Sequence, residues 1–171
     1  RQRQMCIRDR YNTGVRINNG LIREGHNVLS LSDRDILSYK RSIKDPTGEK
    51  YLNNMLNNTI DNFKPDLLIL GHADRINTET LLNAKDKYSN LKICQWFLDP
   101  LSKDCPDFYK NKKRVIEKID FCDSTFITTS PDALNYKIKN SFYMPNPCDK
   151  SLDYLENYKE NKIFDIFYAI S

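Results

Sequence analysis

Apolar residues recur along this chain at helical spacing in some stretches and in short continuous runs in others, and the two patterns alternate. In "GVRINNGLIREGHNVLSL" the spacing predicts a helix over residues 14–24. Gly25 closes it as a C-cap, and residues 27–31 read as a short strand. A polar stretch runs from Ser32 to Gly48. "EKYLNNMLNNTIDNF" then places Tyr51, Leu52, Met55, Leu56, Thr59, Ile60 and Phe63 on one helical face. "KPDLLILG", opened by Pro65, is an uninterrupted apolar run and predicts a strand at 66–71 covered on both faces. A helix near 77–88, a strand near 91–97 and a charged helix near 111–119 come next. Strands near 124–128 and 141–144 flank a short helix beginning around Pro131. Such βα repetition predicts an α/β fold, a Rossmann-like doubly wound parallel sheet with helices on both sides.

The ends of the pattern look incomplete. The first helix begins at once after "YNTG", whereas a doubly wound domain normally starts with a strand that turns tightly into that helix. The segment in that position, RQRQMCIRDR, has neither the apolar core nor the small-residue cleavage site of a secretory signal. It resembles a translated sequencing-adapter string, and residues 1–10 are set apart from the fold on that ground. At the other end "NYKENK" is a polar linker, and "IFDIFYAIS" reads as an apolar strand with nothing after it to pack on. The expected organisation is a Rossmann-like domain over 11–150, a linker helix or hinge over 151–162, and at 163–171 the first strand of a further domain. The expectation is a fragment truncated at both ends.

Composition narrows the class. A chain of 171 residues suits one domain with a proper core, and no apolar run approaches the roughly 20 residues that cross a bilayer. Five cysteines form no C-x-x-C pair, and with two histidines they assemble no recognisable zinc pattern. Reduced thiols and a cytoplasmic setting are the simplest expectation. The formal net charge is +4, but the four arginines and one aspartate of residues 1–10 supply most of it. About +1 remains, which offers no case for nucleic acid.

If the strands follow the common order 3-2-1-4-5-6, with the absent strand as the first, the switch point lies beside the strand at 91–97. Trp96, Asp99 and Pro100 in "LKICQWFLDP" would then emerge at a ligand crevice with Gly14 and Arg16. Equally, Trp96 fills core space and Asp99 caps a loop, since Asp-Pro is ordinary loop-starting chemistry. The string "DRD" at 33–35 matches a D-x-D metal–diphosphate motif, but three-residue charge strings arise by chance and its context is wrong, so no metal is expected. There is no G-x-x-x-x-G-K-[ST] loop and no G-x-G-x-x-G fingerprint.

Taken in order, "GVRINNGLIREGHNV", "FKPDLLILGHAD", "WFLDP" and "YMPNPCD" resemble the N-terminal half of a GT-B glycosyltransferase, in particular the CgeB-like, spore-maturation group. The resemblance covers residues 11–171 and implies two Rossmann-like domains facing across a cleft, this one shaping the acceptor side. It implies transfer of a sugar from a nucleotide-sugar donor to a hydroxyl acceptor without a metal or further cofactor. Asp99 is the implied catalytic carboxylate, and Gly14 and Arg16 the implied donor contacts. Asn12, Thr13, His72, Trp96, Pro100, Asn146 and Asp149 are the implied substrate-side positions. For His72 a loop histidine, and for Asn146, Pro147 and Asp149 a structural role before the hinge, are competing readings. Most donor-binding groups would lie beyond Ser171, which makes this chain alone catalytically silent. The alternative class is a non-catalytic Rossmann-like module that binds a small molecule or regulates.

Overall fold

The computed structural model describes residues 13–151 and Asn161. By its internal contacts the chain divides into two compact units, residues 1–28 with 147–171, and residues 29–146.

The larger unit is built on four parallel strands in the order β1-β2-β3-β4: β1 (Leu67–Leu70), β2 (Lys92–Phe97), β3 (Ser124–Ile127) and β4 (Ser141–Tyr143). In chain order its helices are α2 (Asp33–Tyr39), α3 (Glu49–Phe63), α4 (Thr78–Lys87) and α5 (Phe108–Glu117), with 3₁₀ turns at Ile119–Phe121 and Pro131–Ala133. The α/β parallel architecture expected from the sequence is therefore present, and the strand positions agree to within one or two residues. The order 3-2-1-4-5-6 is not. β1 pairs directly with β2, Leu68 opposite Ile93 and Leu70 opposite Gln95, so no other strand separates them and the expected reversal beside β2 is missing. The crossover through α4 simply returns the chain to the adjacent position, the commonest behaviour of consecutive elements.

Three local expectations also change. Residues 27–31 run without regular secondary structure and belong to none of the four strands. β1 is less covered than a strand buried on both faces would be: Leu67 is about half exposed, Leu68 and Ile69 are partly buried, and only Leu70 is fully buried. The polar stretch holds α2, whose first turn is the "DRD" string. Ser32 Oγ caps that turn by accepting from Asp35 N.

α3 buries Leu52, Leu56 and Ile60, one side chain per turn, against Leu81 and Ala84 of α4 and Leu70 and Ile93 of the sheet. Tyr51 and Met55 stay exposed, so the buried stripe is narrower than the apolar pattern suggested and takes in Asn53 instead. The start of α3 depends on Gly48, whose φ of 78° and 3.1 Å approach of its Cβ position to Leu37 O suit only glycine. Lacking a side chain there, the helix is capped from the loop: Asp45 accepts from Gly48 N and Tyr51 N. A second cluster of Phe97, Leu101, Val115, Ile127 and Ile138 packs α5 on the sheet.

In the smaller unit, α1 (Thr13–Arg23) ends in a Schellman turn at Gly25. His26 N donates to Leu21 O, and Gly25 N to Ile22 O. The buried carboxylate of Asp149 accepts from Ser151 Oγ and N, Asn19 Nδ2 and Arg23 Nη1. These donors, the Ser151 hydroxyl first, hold Asp149 well below the usual carboxylate range.

Candidate functional site

Two loops leave the carboxyl ends of adjacent strands in the larger unit, and each is tied down by side chains from elsewhere in it. The loop after β1 is set by Asn53, whose Nδ2 donates to Glu49 O and Arg75 O while its Oδ1 accepts from Asn77 N and Thr80 Oγ1. All the hydrogen-bonding capacity of a buried carboxamide is thereby used. The loop after β2 is pinned at three points: Thr128 Oγ1 donates to Leu98 O, Leu101 N to Thr129 Oγ1, and Asn111 Nδ2 to Pro100 O. A side chain on either loop is consequently held in place.

These loops bring His72, Asp74 and Asp99 around Arg114 of α5. The guanidinium makes a two-pronged contact with Asp74, Nε to Oδ1 at 2.8 Å and Nη2 to Oδ2 at 2.6 Å. Its Nη1 donates to Asp99 Oδ2 at 3.0 Å, and its Nη2 lies 2.7 Å from His72 Nδ1. Four of its five N–H donors are engaged. The ring of Phe97, the last residue of β2, supports the group. His72 stacks on it with ring centroids 5.1 Å apart, and the guanidinium carbon lies 5.3 Å from the Phe97 centroid.

Guanidinium can only donate, so Nδ1 of His72 must accept and the ring proton sits on Nε2. Burial pushes the His72 pKa down, and the Arg114 charge adds to that effect, against an opposing pull from Asp99 3.8 Å away. The neutral imidazole is the form the surroundings favour. Hydrogen bonding to Asp74, followed by the charges of Asp74 and Asp99, holds Arg114 above its ordinary value. With His72 neutral, two carboxylates and one guanidinium leave the cluster one formal negative charge. It offers His72 Nε2–H and one Arg114 N–H as donors and Asp99 Oδ1 as an acceptor. Side-chain exposure is 22% for His72 and 39% for Asp99, so both can be reached from solvent.

Of the residues singled out in the sequence, His72 and Asp99 meet here, and Pro100 is exposed beside Asp99 with its carbonyl on Asn111. Trp96 does not join them. Successive strand residues face opposite sides of a sheet, and Phe97 takes the side of His72 and α5. The Trp96 indole is buried on the other side, and its Nε1 has no hydrogen-bond partner among the described residues. Thr13, Gly14 and Arg16 lie in the first turn of α1, and Asp149 joins that helix as a buried structural acceptor. Asn146 is exposed at the end of the larger unit, and Asn12 lies outside the described residues. Sequence reading missed Arg114 and Asp74. Asp74 stood in the quoted "GHAD", but Arg114 was one cation among five in "YKNKKRVIEK", with nothing local to mark it.

No cluster of three or more His, Cys, Asp or Glu among the described residues is placed to hold a metal ion. In the cluster above, the guanidinium stands where a cation would sit. Burial raises the thiols of Cys94 and Cys122 to about 11, which leaves them protonated and poor nucleophiles at neutral pH. No helix among the described residues is long and apolar enough to cross a membrane. Compared with known protein families, with curated proteins and with solved structures, the chain matches none.

Proposed function

We propose that the chain forms the acceptor side of a GT-B, CgeB-like glycosyltransferase, in which the loops after β1 and β2 receive the hydroxyl that accepts the sugar. The observation that carries this reading is the His72–Arg114–Asp99 geometry: a fixed N–H donor and a carboxylate oxygen side by side at the carboxyl ends of two parallel strands. Hydroxyl groups both donate and accept, so a neutral polyol or glycoside satisfies both atoms at once. The formal negative charge disfavours a phosphate at the same point, and the donor's diphosphate has to be neutralised by other groups.

Roles follow from the geometry. Asp99 Oδ1 takes the acceptor hydroxyl's proton as general base. His72 cannot be that base while its lone pair receives the Arg114 N–H, and it orients the acceptor through Nε2–H. Arg114 and Asp74 position the two groups. Arg16 and the backbone at Gly14 remain the proposed donor contacts, on the strength of the sequence resemblance alone.

The test is an NMR titration of the isotope-labelled chain with simple glycosides, nucleoside diphosphates and nucleotide-sugars, following the His72 ring signals. Weak glycoside binding that shifts those signals, and that Asp99→Asn and His72→Ala each reduce by roughly tenfold for one lost charge-assisted contact, is expected. Signals moved by nucleoside diphosphate and not by glycosides would overturn the acceptor assignment. Glycoside binding to this chain, with no sugar transfer when it is joined to any donor-binding domain, would favour the non-catalytic module.

A further inference from the structure

The outward face of α5 points to a second contact, independent of the cluster at Arg114. α5 buries Phe108, Asn111 and Val115 and turns Arg114 towards its carboxylates, which leaves Tyr109 and Ile116 on the solvent side. Tyr109 is 80% exposed and Ile116 41%. The two stand seven residues apart, about 10 Å along the helix axis. Lys110, Lys112 and Lys113 border them, and none of the three is ion-paired to a described residue. Lys112 is nevertheless held, its ammonium 4.1 Å from the Tyr136 ring centroid. Glu117 is the one acid on this face. A shallow hollow of about 460 Å³ is lined by Tyr109, Lys112, Lys113, Ile116 and Glu117, all from α5 itself.

From this face we infer that α5 rests on an anionic lipid surface, Tyr109 and Ile116 entering the headgroup layer and the lysines lying among the acidic headgroups. The charge is complementary, and the pairing of exposed aromatic and aliphatic side chains with lysines is the pattern of a helix lying in an interface. A peptide groove needs two walls, and this hollow has only one helix. A nucleic acid would call on guanidinium forks, and the helix's single arginine is spent on Asp74, Asp99 and His72.

The experiment is co-sedimentation of the full chain with phosphatidylglycerol–phosphatidylcholine vesicles and with phosphatidylcholine vesicles alone, at low and high salt. The chain should sediment with the acidic vesicles only and be released by salt. Lys110→Glu with Lys113→Glu should lower partitioning at least about tenfold, as expected for reversing two interfacial charges. Tyr109→Ala with Ile116→Ser should lower it as well, and unchanged circular dichroism in both variants will show that folding is intact. No sedimentation, or binding that neither pair of changes affects, overturns the proposal. So does equal binding to duplex DNA or an acidic peptide lost in the same variants, since the face would then serve a polyanion.

Discussion

Nη2 of Arg114 lies 2.7 Å from Nδ1 of His72, and this contact fixes the tautomer of the imidazole while burial, helped by the Arg114 charge, favours its neutral form. A protonated His72 would present an N–H to another N–H on a cation, so the pair persists only while His72 is neutral.

Stability should therefore depend on pH through His72. Its pKa is lowered in the folded chain, so the unfolded chain binds the proton more readily, and the stabilisation is fully present above the unfolded value of about 6.5. It is lost as pH falls from there through the lowered folded value. Urea unfolding between pH 7.5 and 5 should show a steeper loss for the native chain than for His72→Gln. Parallel slopes for the two would remove His72 from the account.

Arg114→Met should raise the His72 pKa, since one lowering charge is gone and solvent reaches the ring. The variant should lose about 1–2 kcal/mol of stability, the usual scale for partly exposed charge-assisted bonds. An NMR titration of the ring protons reads the first effect and thermal unfolding the second. An unshifted titration would mean that burial alone sets the value.

Asn53→Ala should cost about 1–3 kcal/mol, because it leaves the buried Thr80 Oγ1 and the part-buried Asn77 N and Arg75 O without their bonds. Neighbouring Asn54→Ala, on the exposed side of the same helix, should change stability by less than about 0.5 kcal/mol. The loop bearing His72 and Asp74 hangs from Asn53, so Asn53→Ala should also broaden the His72 resonances. Sharp signals in a destabilised variant would separate the hub from the site.

Trp96→Phe removes an indole N–H that is buried without a partner among the described residues, which offsets the smaller volume of the new ring. Its net cost should stay below about 1.5 kcal/mol, against about 3–5 kcal/mol for Trp96→Ala. Because Trp96 faces away from Asp99, Trp96→Phe should leave glycoside affinity unchanged. Measured affinity that falls with this variant would place the indole in the ligand path.

The Gly48 position can be tested in the same way. Gly48→Ala puts a Cβ 3.1 Å from Leu37 O at a left-handed backbone angle, and should destabilise by about 1–3 kcal/mol in chemical denaturation. A neutral result would show that the turn before α3 relaxes freely.

Helix spacing, the Gly25 stop and the apolar runs of β1 and β2 are local properties, and the sequence alone placed those elements. α2 escaped because its signal is one cap at Ser32 followed by a short, mostly polar turn. The segment 27–31 has the composition of a strand but joins none of the four strands of the sheet, and strand pairing is a condition that local sequence does not express. His72 and Asp99 could be picked out because each follows an apolar strand directly, where a parallel sheet leaves its loops.

What only the tertiary structure decided is which side chains meet. Trp96 and Asp99 are three residues apart in "WFLD", yet strand alternation sends the indole to one side while the carboxylate leaves at the strand's end. Arg114 lies fifteen positions beyond Asp99 and forty-two beyond His72, and joins them because α5 packs over Gln95 and Phe97. The chain's own order and spacing determined its elements, since these depend on neighbours a few residues apart. The strand order, the Trp96 orientation and the Arg114 cluster depend on contacts between distant segments, which exist only once the sheet has chosen its pairings.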